Sequence, residues 1–518
     1  MIGDGAPHRV LKISELSRAV AGQLIHISRG STVSLARTCR YLEEPVLSVL
    51  WGQQSRVEAL LEMLPEGVWN RRYRTRLSAE EVRSLDLSSE IPNAQIRLLQ
   101  FTIVGDPSPE AWSRIQRYAS WMRSVSMDYR ESLGEEAVRQ FRLNAPAGGW
   151  FPALRVLDWV IATHNHPYID LLFSPLLEEV YIDAPPSWNT AGFIPTMLPA
   201  LGSTISALPT SALRILSIGT ARNACMHLRW WRHLEDPFSS LVLRCGPSLT
   251  RLSSPISLSD EAINHAIRLP SLRIWEVEGP PPSCSALSPP FVFPPLAEFG
   301  LWEPSAHGWL SLFQQLEDRA SATQDVTPLC KVKESLTHLN VVHRSVAVVI
   351  DISLTSPIQM FRNLVSLRVR GNCYVDGEDQ CTFKLDNDSV TKLAMALPQL
   401  THLLLGYACS KNTCTTTIAC LLPISVYCVG LDELEVHFNI TNIINDLKSI
   451  SIDPHFQEFL SLPRCRLRDL DVSDMPLFLD ESEFGTVVDG MRDIFPSLQS
   501  VQGSMDIWCE LSEKFRER

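Results

Sequence analysis

No apolar run in this chain is long enough to cross a bilayer: the longest, IACLLPISVYCVGL, is interrupted by Pro423 and falls short of the roughly 20 residues that a spanning helix needs. The opening text, MIGDGAPHRVLKISEL, has no uninterrupted apolar core of the secretory kind, so an intracellular protein, cytoplasmic or nuclear, with no membrane partner is expected. Close cysteine pairs are missing as well. The 13 cysteines are scattered and odd in number, which argues against a disulfide framework, and the densest group, Cys409, Cys414, Cys420 and Cys428, lacks the Cys-x-x-Cys spacing of a zinc ribbon. Positive charge is in deficit. At a formal net charge of -12 the chain has no general attraction for phosphates, which excludes a broad nucleic-acid binder. It contains no G-x-S-x-G, no phosphate-cradling glycine loop and no H-E-x-x-H, so no enzyme, catalytic residue, metal site or cofactor is expected.

What the chain does contain is a repeat. Leu400, Leu403 and Leu405 in PQLTHLLLG spell L-x-x-L-x-L, and the unit returns at Leu154, Leu157, Trp159; Leu177, Val180, Ile182; Leu213, Leu216, Ile218; Leu272, Trp275, Val277; and Leu296, Phe299, Leu301. It continues at Leu336, Leu339, Val341; Leu364, Leu367, Val369; Leu431, Leu434, Val436; and Leu467, Leu470, Val472. With weaker copies near Val82, Leu98, Met122, Leu249 and Leu498, about fifteen units fill most of the chain, which is the signature of a solenoid. Hydrophobic residues at 45% and charged residues at 20% predict a folded chain, and 518 residues exceed what a single core supports.

The intervening text is helical. Val390, Leu393, Ala394 and Leu397 share one face before Pro398; Val487, Met491, Ile494 and Phe495 share one before Pro496; and Ser259 or Asp260 caps a helix carrying Ile263, Ala266 and Ile267. Helix, proline stop and strand in that order predict an α/β fold of parallel strands on a concave face with helices and loops outside. Repeat starts lie roughly 23 to 40 residues apart, wider than the usual leucine-rich range, and only Asn372 and Asn439 occupy the position where such repeats commonly carry asparagine. An irregular solenoid is therefore expected. The proline-rich segment 279–295 reads as a loop, and alternating apolar residues in HRSVAVVIDISLTSPIQMFRN could add a strand.

The first residues differ in texture. Ile13, Leu16, Val20 and Leu24 fall on one helical face with Ser14 as a cap; Leu35, Cys39 and Leu42 mark a second helix; and Pro45 starts a third that carries Val46, Leu47, Leu50 and Trp51. Three short helices bury little apolar surface alone, so a partner or a neighbouring domain should cover them. The domain plan is a helical module over 1–55, a helical and basic connector over 56–80 that includes Arg71 to Arg76, a solenoid over 81–505 and a tail or cap over 506–518. The basic cluster fits either a solvated linker or a binding patch.

The texts VLKISELSRAVAGQL and SLARTCRYLEEPVLSVLW resemble an F-box, as found at the front of fungal F-box-like proteins that continue into leucine-rich repeats. Ile13, Glu15 and Leu16 match the family's helix start, Leu35, Ala36, Cys39 and Arg40 its middle, and Trp51 its end; Ser14 stands where the family usually has proline, and Arg18 and Ala19 interrupt a normally apolar turn. SPEAWSRIQRYASWMRSVSM, with Trp112, Ile115, Tyr118, Ala119 and Met122 on one face, looks like that family's entry into its repeats. The resemblance implies docking of a Skp-type adaptor, and through it a cullin-RING ubiquitin ligase, by Ile13, Leu16, Val20, Leu24, Leu35, Cys39, Leu47, Leu50 and Trp51, with the repeats holding a client protein. The other reading is a ubiquitin-independent scaffold whose first helices only cap the solenoid.

In an L-x-x-L-x-L strand the leucines point inward, so the residues between and after them point out. The outward set comprises Glu276 and Glu278; Glu298 and Trp302; His338 and Asn340; Arg368 and Arg370; His402 and Leu404; Glu433, Glu435 and His437; and Asp469 and Asp471. The expected client surface is the basic stripe Arg368 and Arg370 beside the acidic Glu433, Glu435, Asp469 and Asp471, where a basic client segment would dock. His338, His402 and His437 come from separated repeats and read as solvated or hydrogen-bonded rather than metal-binding. Asn387 and Asn439 begin N-x-S/T sequons that read as chance matches.

Overall fold

The computed structural model describes residues 14–74, 98–127, 131–160, 166–183, 194–219, 231–278, 281, 293–302, 306–323, 330–342, 351–370, 384–406, 415–452, 454–472, 483–502 and 506–517. The chain divides into two compact units, Met1–Ile256 and Ser257–Arg518.

The first unit opens with three helices, α1 (Ser14–Ile27), α2 (Arg29–Thr38) and α3 (Arg40–Gly52). Ser28 caps α2 by accepting the Ser31 N–H at 3.1 Å, and the chain breaks at Cys39, whose extended backbone separates α2 from α3. Two expectations change here. Pro45 lies in the second turn of α3 rather than at its start, because the helix begins at Arg40, and Cys39 is a junction rather than a stripe residue of α2. The α1 face turned to the core is Ser17, Ala21 and Ile25, one residue on from the stripe Leu16, Val20, Leu24. Ala21 joins Ala36, Leu42 and Val46 in a small core, against which Leu35, Cys39, Leu47, Val49 and Leu50 pack while still partly exposed.

The basic connector is not solely a solvated linker. Strand β1 (Trp69–Arg74) pairs antiparallel with β2 (Leu98–Ile103), which pairs parallel with β4 (Glu131–Leu133), so the weak repeat near Leu98 belongs to a separate three-stranded sheet. Leu98–Ile103 follows the alternating pattern of a strand well, but only pairing decides which sheet a strand joins. The stretch near Val82 and the end of the basic cluster, Thr75 and Arg76, lie outside the described residues.

The first unit then runs through parallel strands β3 (Ser124–Met127), β5 (Val156–Val160), β6 (Glu179–Asp183), β7 (Ile215–Ile218) and β8 (Arg251–Ser257). Val125, Leu157, Val180, Leu216 and Leu252 align in register as one row of side chains with no solvent exposure. The second unit repeats the arrangement with β9 (Ile274–Glu278), β10 (Glu298–Trp302), β11 (His338–Val342), β12 (Ser366–Arg370), β13 (His402–Leu405), β14 (Glu433–Val436), β15 (Asp469–Asp471) and β16 (Ser500–Gln502). There the row is Trp275, Phe299, Leu339, Leu367, Leu403, Leu434, Leu470 and Val501, all buried.

One hydrogen-bond device joins successive repeats. A carbonyl just before one strand accepts the N–H groups of two consecutive residues that lead into the next. Arg155 receives Glu178 and Glu179 at 2.8 and 2.9 Å, Thr337 receives Val365 and Ser366 at 2.8 and 3.0 Å, and Thr401 receives Asp432 and Glu433 at 2.8 and 3.0 Å. In several units the first leucine anchors the preceding turn: the N–H of Leu177, Leu213, Leu364, Leu400 and Leu431 bonds to the carbonyl three residues earlier.

Helices bury their apolar faces on the leucine side, as expected from their spacing. Asn387–Ala396 turns in Val390, Leu393 and Ala394; Phe484–Ile494 turns in Val487, Met491 and Ile494; and Ser259 caps Asp260–Ala266 by accepting the Ala262 N–H at 3.3 Å. In the second unit Trp309 and Phe313 of the helix Ala306–Thr323 meet Trp275 and Phe299 of the strands, with ring centroids 5.1 to 5.7 Å apart. The expected extra strand after His343 is a helix where it is described, Ile352–Ile358, and residues 343–350 lie outside the described residues, as does most of 279–295. At the end of the chain the helix Asp506–Glu517 packs on β16 and buries Trp508, Leu511 and Phe515. This is an α/β leucine-rich-repeat fold with helices at its front.

Candidate functional site

Two surfaces carry the residues singled out above. On α1, Leu16 and Val20 are one turn apart and solvent-exposed at 44% and 56%. Leu24 below them is half-buried, and Ile13 lies outside the described residues. An exposed apolar pair on a module whose core is already made by Ala21 and Ile25 is surface not needed for the fold of the module. Leu35, Cys39, Leu47 and Leu50 instead sit partly buried against that core. Trp51 is engaged within the chain: its ring lies 4.9 Å from Tyr118 of the helix Pro109–Ala119, and Tyr118 in turn meets Trp121 edge-on at 5.3 Å. Just beyond, the Ser126 N–H of β3 donates to the Ser55 carbonyl at 2.8 Å. The C-terminal end of the module is thus fastened to the first repeats, while the α1 face stays open.

The second surface is the outward face of β12 to β16. Cross-strand register sets two rows: Ser366, His402, Glu433, Asp469 and Ser500, and beside it Arg368, Leu404, Glu435, Asp471 and Gln502. Arg368, Arg370, Glu433, Glu435, Asp469 and Asp471, nominated from spacing alone, line one depression of about 300 Å³. Asp432, His402, Leu404 and Gln502 also line it. Gln502 could have been found by carrying the register on to the weak unit at Leu498; Asp432 precedes its strand and follows from no alternation rule.

The pairing around Glu433 is thin. Arg368 approaches Glu433 only to 3.9 Å and His402 reaches the same carboxylate at 3.8 Å, with all three side chains well exposed, so each contact is worth little. Asp469 accepts a hydrogen bond from the Ser500 hydroxyl. His402 and His338 are each paired with the threonine that precedes them, at 2.7 and 2.9 Å. His437, read as an outward residue, is buried, because Gly406 has no side chain to keep it off the end of β13. Among the described residues no group of histidines, cysteines and carboxylates has metal-site geometry.

Other expectations resolve as packing. Cys420 and Cys428 are buried, and burial pushes the Cys428 thiol up to about 12; Cys409 and Cys414 lie outside the described residues. The Asn387 amide is held between repeats by the Thr417 N–H at 2.9 Å, and the Asn439 side chain accepts the Thr441 N–H at 2.9 Å. In the first unit the corresponding strand face carries Asp158, whose carboxyl is raised by burial and by the charge of Asp183, against a 3.1 Å hydrogen bond from Ser126 that lowers it. No described helix is long and apolar enough to cross a membrane.

Leucine rows, parallel register and the shared carbonyls define a leucine-rich-repeat protein. No family model matches the chain, and no curated protein does. Among solved structures it is similar to an internalin of Listeria monocytogenes, at 12% identity over 77% of this chain and 80% of that one, with a TM-score of 0.29. It is also similar to the Rad7 and Elc1 complex of yeast, at 12% identity over 59% of this chain and 78% of that one, with a TM-score of 0.24. At these scores neither likeness bears on function, and the fold assignment stands on the strand register itself.

Proposed function

We propose that this chain is the substrate-recognition subunit of a cullin-RING (SCF-type) ubiquitin ligase: the α1 face docks a Skp-type adaptor and the repeats hold a client protein. The observation that carries the reading is the exposure of Leu16 and Val20 on a module whose other end is tied down by Trp51 and Tyr118. That arrangement supports an adaptor contact made by α1 and the partly open Leu24, Leu35, Cys39, Leu47 and Leu50, with Trp51 setting the module's placement on the repeats. Such a protein would act by raising the local concentration of client lysines near a charged conjugating enzyme, with the chemistry done by its ligase partners.

The alternative, a ubiquitin-independent scaffold with a helical cap, draws on the same Trp51–Tyr118 contact and on the Ser55–Ser126 hydrogen bond. Co-purification of the full chain with a Skp-type adaptor separates the two. Leu16→Asp with Val20→Asp should abolish capture while leaving the thermal transition of the repeats in place, since both sites are exposed. A wild-type chain that captures no adaptor rules the ligase reading out in favour of the cap, and a double variant that captures it undiminished removes the α1 face as the docking surface.

A further inference from the structure

The face of β12 to β16 contains an electrostatic conflict. Register places Glu433 opposite Asp469 and Glu435 opposite Asp471, so two like-charged pairs face each other across neighbouring strands. Directly opposed like charges are destabilising in a sheet, and a fold that keeps two such pairs in one place departs from the local consistency seen elsewhere in its strands. The five carboxylates that line the depression outnumber its two guanidinium groups, and both guanidiniums stand at one side, on β12. Between the two signs lies Leu404, an outward strand position that is nonetheless only 7% exposed and gives the depression an apolar floor.

We propose that this face binds an extended segment of a protein partner that carries a lysine or arginine over β14–β15 and an acidic side chain over β12. The inference rests on the reading of the repeats as a protein-docking surface and not on the adaptor contact. Charge complementarity selects the occupant. A cation over Glu435 and Asp471 complements the acidic side of the depression, its methylene stem lies along Leu404, and an acid four residues away answers Arg368 and Arg370. The spacing follows from the sheet. Arg368 is two strands from Glu435 and three from Asp471, about 10 to 14 Å at the usual strand separation, which an extended chain covers in about four residues, a separation that also keeps both side chains on one face. Partners with a single charge sign satisfy only one side of the depression.

The test uses the full chain without adaptor and a set of immobilised synthetic peptides in a glycine–serine–alanine background. One carries a glutamate followed four residues later by a lysine, so that both side chains share a face of the extended segment, one the same pair eight residues apart, one lysine alone and one glutamate alone. Retention should be greatest for the close pair, fall steeply with added salt because the side chains are solvent-facing, and drop by about tenfold or more in Glu435→Lys with Asp471→Lys. Glu179→Lys on the strand face of the first unit is the control and should leave retention unchanged. The proposal fails if the close pair is held no better than lysine alone or the wide pair, or if the double reversal, shown to be folded by its far-ultraviolet dichroism, retains it undiminished. Because adaptor is absent, failure here leaves the ligase reading standing, and loss of adaptor binding leaves this result unaffected.

Discussion

Gly406 closes β13 with φ at +103°, a backbone setting that residues with a side chain seldom adopt, and a Cβ built there would lie 2.6 Å from the Cβ of His437. Both the strain and the collision predict that Gly406→Ala destabilises the second unit by about 2 kcal/mol or more, read as a lowered midpoint in urea with the slope unchanged. The same glycine explains why His437 could not be placed from its spacing. Alternation along β14 points it outward, and only the missing side chain on the neighbouring strand lets it be covered. Leu404 is the mirror case, apolar and nearly buried at an outward position, at the floor of the depression. The inward leucines were legible because burial at every second position is a property of the strand itself. The α1 face was not, because stripes starting at Leu16 and at Ser17 share the same four-residue spacing. Which one turns inward depends on the small side chains of Ser17 and Ala21, which let the neighbouring helices approach.

Helices between repeats depend on their caps, and the cap of Asn387–Ala396 is ionisable. The Asp386 side chain accepts the Ser389 N–H at 2.8 Å and the Ser389 hydroxyl at 2.6 Å, and these hydrogen bonds hold its carboxyl below the ordinary aspartate range. A depressed native value means stability that is fully present above the unfolded-state value and is lost as pH falls through the native one. Asp386→Ala should therefore cost about 1 kcal/mol at neutral pH, and the gap from wild type should narrow on acidification below the ordinary carboxylate range, as measured by denaturant titration at several pH values. A gap that stays constant down to that range and beyond would assign the loss to packing instead. Elements such as this one were readable from apolar spacing and a proline stop. The strand Trp69–Arg74 was not, because three arginines among its six residues read as solvent-facing text and its pairing with Leu98–Ile103 is a long-range fact.

For the molecule as a whole, the described thiols divide by depth. Burial raises Cys245 and Cys428 to about 12 and Cys465 to about 11, while Cys509 is exposed on the last helix. Thiolate is the reactive form, so brief alkylation of the native protein at pH 8 should label Cys509 and spare the other three, with all four labelled in denaturant. Peptide-level mass spectrometry reads the pattern directly, and equal labelling of Cys428 and Cys509 in the native state would contradict the packing of the second unit. The leucine-rich architecture was legible at this scale because its unit recurs along most of the chain and the copies corroborate one another, the weak one at Leu98 excepted. The charged depression was half legible: spacing nominated six of its carboxylates and guanidiniums separately and missed Asp432, and their convergence needed the register that lays repeats of unequal length side by side.

The carbonyls shared between successive repeats have a directional consequence. At each such joint the acceptor, as at Arg155, Thr337 or Thr401, belongs to the earlier repeat and the two donors to the later one. As the chain leaves the ribosome, each half-joint is already in place when its donors emerge, so assembly can follow synthesis one repeat at a time. Each newest strand edge is paired as the next repeat arrives, and after β16 the helix Asp506–Glu517 packs its Trp508, Leu511 and Phe515 against the array.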